Sequence, residues 1–131
     1  MTIFHWPIRV YYEDTDAGGV VFYANYLKFF ERARTEMLRD KGFEQDKLIA
    51  EQKVIFVVRA VQLDYLTPAR FNDVLEATAQ VIQAKKVSLN FEQMITRDGI
   101  MLCKGKIRIA CLDAVSMKPK AIPDKLLQQL L

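Results

Sequence analysis

Apolar positions recur along this chain with two periods, and the places where one period gives way to the other predict most of its elements. Ile8, Val10 and Tyr12 alternate with Arg9, Tyr11 and Glu13, which predicts a first strand running into Glu13-Asp14-Thr15-Asp16-Ala17-Gly18-Gly19. The period then changes. Tyr23, Tyr26, Leu27, Phe30, Ala33, Met37 and Leu38 recur at helical spacing, with Lys28, Glu31, Arg32, Thr35, Glu36, Arg39 and Asp40 on the other face. Gly42 supplies a C-terminal stop. This predicts one long helix of about five turns with a wide, aromatic apolar side.

A short helical turn is expected around Asp46 to Glu51. Four strands follow: Val54 to Asp64, Val74 to Ala84, Val87 to Thr96 and Ile100 to Leu112. Asp98-Gly99 carries the hairpin signal between the last two, and Lys85-Lys86 reads as a tight connection between the second and third. Met101, Cys103, Ile107, Ile109 and Cys111 alternate with Lys104, Lys106 and Arg108, so one face of that strand packs and the other stays wet. Pro119 and Pro123 precede a terminal helix from Asp124 to Leu131. A strand, a long helix and a four-strand meander make an α+β fold, the hot-dog layout in which a curved antiparallel β-sheet wraps one central α-helix. One such domain is expected to span residues 1–131. Its open sheet edges and half-covered sheet predict a homodimer or homotetramer.

Composition mainly excludes. Nineteen Lys and Arg against sixteen Asp and Glu give a net charge of +3, interspersed rather than striped, which predicts no nucleic-acid partner. The longest stretch free of charged residues is the eleven from Ala17 to Leu27, too short for the ~20 needed to cross a bilayer. No basic cluster or apolar segment of the secretory kind precedes Arg9, so a cytoplasmic location is expected. Cys103 and Cys111 lie eight apart on one predicted strand. That separation of about 26 Å is beyond disulfide reach, and both are expected as reduced core thiols. His5 is the sole histidine, so a Ser-His-Asp or Cys-His mechanism would depend on one residue near the N-terminus, and a zinc site would lack ligands. Chemistry is left to carboxylates, backbone amides, Lys, Tyr or water.

The acidic glycine stretch is the candidate for that chemistry. Asp14-Thr15-Asp16-Ala17-Gly18 has the spacing that opens a calcium loop, but the third acid is missing and Asn25 stands where a bidentate Glu is required. A parallel sheet, needed for an aspartyl phosphotransferase, is incompatible with this strand order. Two readings of Asp16 remain: a cap for the long helix, or a carboxylate beside the unpaired amides of its N-terminus. In the second, Asp16 is base or nucleophile and an N–H in the first helical turn, near Tyr23, polarises a carbonyl, a minimal acyl-transfer site.

Tyr12-Glu13-Asp14-Thr15-Asp16-Ala17-Gly18-Gly19-Val20-Val21-Phe22-Tyr23-Ala24-Asn25-Tyr26, with Glu31-Arg32-Ala33-Arg34-Thr35-Glu36, Phe56-Val57-Val58-Arg59 and Pro68-Ala69-Arg70, resembles the Tol-Pal-associated (YbgC-like) acyl-CoA thioesterases. These belong to the 4-hydroxybenzoyl-CoA thioesterase family of hot-dog proteins. The resemblance implies hydrolysis of an acyl-CoA thioester to a carboxylic acid and free CoA, without cofactor or metal. Asp16 matches the catalytic aspartate, as nucleophile or general base, and the Tyr23 amide matches the helix N-terminal donor to the thioester carbonyl. Tyr23 stands where many Tol-Pal-associated members carry His. Lys85 and Lys86 match residues that meet coenzyme A phosphates in the hydroxybenzoyl-CoA enzyme, although Val87 stands where that enzyme has a third; the alternative for the pair is a solvated turn.

Other marked residues read more plainly. Glu31, Arg32, Arg34 and Glu36 are expected on a solvated or interfacial face, with Glu31 pairing Arg34. Tyr23, Tyr26, Phe29 and Phe30 are expected to serve as core and acyl lining together, and Arg59 as an interface or a substrate contact, with interface preferred. The rival enzyme, a hot-dog hydratase, rests on a site histidine that this chain lacks. The rival from another class is a non-hydrolytic acyl-CoA or acyl-carrier-protein binding module acting with lipid-synthesis proteins. Asp16 separates them, because binding alone needs no base.

Overall fold

The computed structural model describes residues 2–131. Strand β1 (Phe4–Arg9) leads through a 3₁₀ turn at Tyr12–Asp14 to helix α1 (Asn25–Asp40) and the shorter α2 (Gln45–Gln52). Strands β2 (Val54–Tyr65), β3 (Val74–Ala84), β4 (Ser88–Arg97) and β5 (Ile100–Asp113) follow, and α3 (Asp124–Leu130) closes the order. The strands form one sheet in the order β1-β3-β4-β5-β2, and every pairing is antiparallel. This is the expected α+β hot-dog arrangement.

Alternation explains the sheet. In β4, Leu89, Phe91, Gln93 and Ile95 are buried while Asn90, Glu92, Met94 and Thr96 are more open; in β5, Cys103, Gly105, Ile107, Ile109 and Cys111 form the inward row. Asp98 and Gly99 both take positive φ, 51° and 78°, as the tight β4–β5 hairpin requires. Against the inward row lies α1, which buries Tyr26, Phe29, Phe30, Ala33, Met37 and Leu38. Phe30 comes so close to β5 that a Cβ on Gly105 would stand 3.2 Å from its ring and 2.5 Å from Leu63 Cδ2. Glycine at 105 is therefore a packing requirement in mid-strand. Both thiols are free and buried, and burial pushes Cys103 up to about 12 and Cys111 up to about 11, which keeps them protonated and unreactive.

Several expectations need correction. The first strand starts at Phe4 and stops at Arg9, and Tyr12 is exposed in the 3₁₀ turn; the alternation ran on past the strand because the turn also exposes polar residues. α1 begins at Asn25, so Tyr23 precedes the helix instead of occupying its first turn. Arg34 makes no pair with Glu31. It turns inward and donates from Nη1 to Gln93 Oε1 at 2.9 Å, and the i,i+3 ion pair on this helix is Glu36 with Arg39. Arg59 falls at a bulge in β2, between the paired Val58 and Ala60, which is why a charge interrupts an apolar strand.

Gln93 is fully buried and holds the layers together. Its Nε2 donates to the carbonyls of Phe30 in α1 and Thr78 in β3, both at 3.0 Å, while its Oε1 accepts from Arg34. Thr78 Oγ1 in turn accepts the Met94 N–H at 2.9 Å. These side-chain bonds sit between the Ala77–Ile95 and Gln80–Glu92 pairs, ahead of the register shift between Val81 and Gln83. Removing the Gln93 amide strands a buried carbonyl and a half-buried guanidinium, so Gln93→Leu is expected to lower the unfolding free energy by about 2–4 kcal/mol in urea titration. Glu92→Gln, one position along on the open face, should change it by less than about 0.5 kcal/mol. Equal effects from the two substitutions would show the network to be dispensable.

Candidate active site

Between β1 and α1 the acidic stretch folds into a tight hairpin of its own. Thr15 bridges Val21 in antiparallel fashion, the Phe22 N–H donates to the Asp14 carbonyl at 2.9 Å, and the Asp16 N–H donates to the Val20 carbonyl at 2.9 Å. Asp16 stands at the start of the turn. Its carbonyl accepts from Gly19 at 3.0 Å, and its Oδ1 accepts from the Gly18 N–H at 2.8 Å. Gly19 has φ of 78°, which favours glycine. At Gly18 a Cβ would lie 3.2 Å from Asp16 Oδ1, so a small residue there lets the carboxylate sit over its own turn. The Asp16 side chain is exposed and does not cap α1, whose N-cap is Ala24 with no side-chain hydrogen bond. The capping reading of Asp16 is excluded.

Two buried polar residues that sequence reasoning passed over fix this hairpin to the helix. Asp14 Oδ2 accepts the Tyr11 N–H at 2.8 Å, and Asn25 Nδ2 donates to the Asp14 carbonyl at 2.9 Å. Both side chains are buried. Asn25, noticed in the sequence only as the wrong residue for calcium, is thus the clamp between hairpin and helix. A further tie comes from the 68–70 loop: Val20 bridges Arg70, the Val21 N–H donates to the Ala69 carbonyl at 2.8 Å, and the Ala69 N–H donates to Tyr26 Oη at 3.1 Å. Asp73 steadies the loop, accepting from the Arg70 N–H at 2.8 Å and from Arg97 at 2.6 Å. Burial pushes the Asp73 carboxyl up, but these donors outweigh it and hold it below the usual range.

Tyr23 follows the hairpin directly and is 64% exposed. Among the described residues its N–H donates no backbone hydrogen bond, so that amide is free for a ligand at the positive end of α1. Around it stand Phe22, with ring centroids 4.7 Å apart, and Tyr65 from the end of β2, at 6.4 Å. Tyr26, Phe29 and Phe30 are buried, so the aromatic set expected to serve as core and lining together divides: these three are core, and Tyr23 lies at the surface. An apolar groove of about 450 Å³ flanks α1 from Leu27 to Arg34 and is walled by Val58, Val61 and Ile107.

Lys85 and Lys86 are exposed and lie in the β3–β4 connection, at the far end of β3 from the hairpin, whose flank meets the Arg9–Val74 pairing. Within one chain they do not approach Asp16. His5 is paired with Glu76 on β3 at 2.9 Å, away from the hairpin.

A family model of the thioesterase-like superfamily matches residues 10–130. The chain belongs to that superfamily. Among its relatives, the acyl-CoA thioesterase YbgC of Haemophilus influenzae is 48% identical over 120 residues, covering 92% of this chain and 88% of that protein. The acyl-CoA thioester hydrolase YbgC of Escherichia coli O6:H1 is 46% identical over 129 residues, covering 98% and 96%. Among solved structures, a probable thioesterase from Bartonella henselae superposes with a TM-score of 0.90 at 34% identity, covering 93% of this chain and all of that one. This superfamily member is therefore a homologue of the YbgC thioesterases over nearly its whole length, and it is an enzyme of the thioester hydrolase class. Among the described residues no helix is long and apolar enough to cross a membrane.

Proposed function

We propose that this chain hydrolyses acyl-CoA thioesters, with Asp16 as general base or nucleophile and the Tyr23 N–H as the donor to the carbonyl oxygen. The observation that carries the reading is the hairpin itself: an exposed carboxylate and an unpaired amide just before the helix, joined by six residues of hydrogen-bonded chain, in a homologue of acyl-CoA thioesterases. As general base, Asp16 takes a proton from water while the water oxygen attacks the thioester carbon. The Tyr23 amide and the N-terminal end of α1 stabilise the oxyanion. Collapse breaks the C–S bond, the proton returns from Asp16 to the departing thiolate, and a carboxylic acid and CoA leave. As nucleophile, Asp16 attacks the thioester carbon and the C–S bond breaks, CoA leaving as the thiolate; water then adds to the resulting anhydride, releasing the carboxylic acid and regenerating the Asp16 carboxylate, and a proton from water completes the CoA thiol.

The site is completed by a second copy in this reading. β1 is a six-residue edge containing Pro7, whereas β2 is a twelve-residue edge on which Val58 is 51% and Val61 42% exposed, the kind of edge that seeks a partner. Tyr65 at one end of β2 pairs Cys103, and Val54 at the other pairs Asp113, close to the Ser88–Ala110 pairing and so to Lys85 and Lys86. Antiparallel pairing of two β2 edges brings the Val54 end of one subunit beside the Tyr65 end of the other. The lysine pair of each subunit then approaches the Asp16 end of its partner, within reach of CoA phosphates.

Asp16→Asn is expected to lower kcat at least ~10²-fold with unchanged melting temperature; a folded variant keeping more than about a tenth of the rate would remove Asp16 from the chemistry. Tyr23→Phe keeps the amide and should lose less than ~10-fold in kcat. A loss as deep as that of Asp16→Asn would assign the donor role to the phenol. Co-expressed with the double variant Lys85→Glu, Lys86→Glu, the Asp16→Asn chain should form mixed dimers with one intact site and up to about half the wild-type rate. Mixed dimers no faster than the two parents would place each site within one chain.

A further inference from the structure

Among the described residues, Tyr65 is the one side chain that bonds to the backbone of the proposed oxyanion donor. Its hydroxyl donates to the Tyr23 carbonyl at 2.8 Å, across 42 residues of sequence. The ring is braced on two sides, edge-on to Tyr23 at 6.4 Å and 88° and to the buried Tyr26 at 5.4 Å and 68°. Tyr26 is itself fastened through its hydroxyl to the Ala69 N–H. The phenol of Tyr65 therefore ends a chain of contacts that starts in the loop supporting the hairpin.

Among the described residues the Tyr23 backbone is held from two sides: the Phe22 carbonyl, in the peptide unit that carries the Tyr23 N–H, accepts from the Asn25 N–H at 2.8 Å, and the Tyr23 carbonyl accepts from Tyr65. Ala24 caps the helix without a side-chain bond, and Tyr23 is one residue outside the regular hydrogen-bonding of α1. Its N–H must face the substrate and so cannot be used to anchor it. The Tyr23 carbonyl is the handle on the helix side of its Cα; with the Phe22 carbonyl held on the other side, fixing it restricts both torsions about that Cα and so narrows the swing of the N–H. A donor aimed in advance contributes more to an oxyanion than one that must be ordered during the reaction.

We propose that Tyr65 is a positioning residue of the thioesterase site, whose hydroxyl, by holding the Tyr23 carbonyl, aims the Tyr23 N–H at the developing oxyanion. The inference rests on the proposed role of that amide. Burial pushes the Tyr65 phenol above its ordinary value, so it remains a donor across the working range of such an enzyme. Because Tyr65 ends β2, the same bond couples the donor to the edge strand on which the second subunit is expected to pair.

Tyr65→Phe removes the hydroxyl and keeps the ring. With a short-chain acyl-CoA, kcat is expected to fall about 10-fold while KM changes less than about 2-fold and the melting temperature stays within the scatter of wild type. In 15N-labelled protein the Ala24 amide resonance, which shares the peptide unit of the Tyr23 carbonyl, should move in the variant. An unchanged kcat, or a raised KM with kcat intact, overturns the inference. So does an unmoved Ala24 resonance, which is read without any turnover. If Tyr65→Phe is fully active while Asp16→Asn is dead, the thioesterase reading stands and the positioning role alone fails. If wild type releases no thiol from any acyl-CoA, the thioesterase reading fails first, and the positioning role falls with it.

Discussion

The architecture depends on one buried amide. Gln93 sits in the inward row of β4 between Phe91 and Ile95, where an apolar residue would be expected, and its side chain satisfies a carbonyl of the helix, a carbonyl of the next strand and an arginine. Hydrophobic burial is indifferent to how α1 slides or rotates over the sheet, since it is proportional to area and has no direction. Three directional bonds from one side chain are not indifferent. They set the height and rotation of α1 at Phe30, and because α1 is continuous from there to Asn25, they also constrain where its N-terminus points. The close approach of Phe30 to Gly105 fixes the same register from the neighbouring strand.

From that fixed helix, the functional end is assembled by polar contacts rather than by the core. Asn25 and Asp14 clamp the hairpin, the 68–70 loop braces it from the side, and Tyr65 reaches in from β2. Each contact ends on a backbone amide or carbonyl of the loop, so the loop is ordered through its own main-chain groups. The amide of Tyr23 is left out of this arrangement and Asp16 spends only one oxygen on its turn. A loop held at nearly every point except where a substrate would bind is a preorganised one.

Much of this was legible in the residues, for physical reasons that also mark the limits. The helix and the four later strands are long and strongly periodic, so their ends fall within a residue or two of expectation. β1 begins before the expected strand: Phe4, Trp6 and Ile8 alternate with His5, Pro7 and Arg9, but Pro7 disguises that row as a break, and Tyr12 continues the apolar row past the end of the strand. Arg34 was read as surface because arginine usually is, yet its partner is a glutamine 59 positions away. The signal for Gln93 was present, a polar residue in an otherwise apolar row, but its meaning depends on what lies above it. Asp16 was identifiable through its motif. Tyr65 was not, since its hydroxyl contact joins distant segments, and the role proposed for Lys85 and Lys86, implied by the resemblance, needs a second chain because within one chain the pair stands at the far end of β3 from Asp16.

The two edges of the sheet differ in a way that bears on assembly size. β1 is short and its proline has no N–H to give, while β2 is long and open. A sheet with two receptive edges can add copies indefinitely and grow into a fibre. A sheet with one can add a single neighbour, after which both receptive edges are consumed and propagation ends. If copies of this chain pair through β2 as proposed, strand pairing ends at two copies, and a larger particle would be built by stacking faces, a contact that leaves the hydrogen-bonding of every strand unchanged.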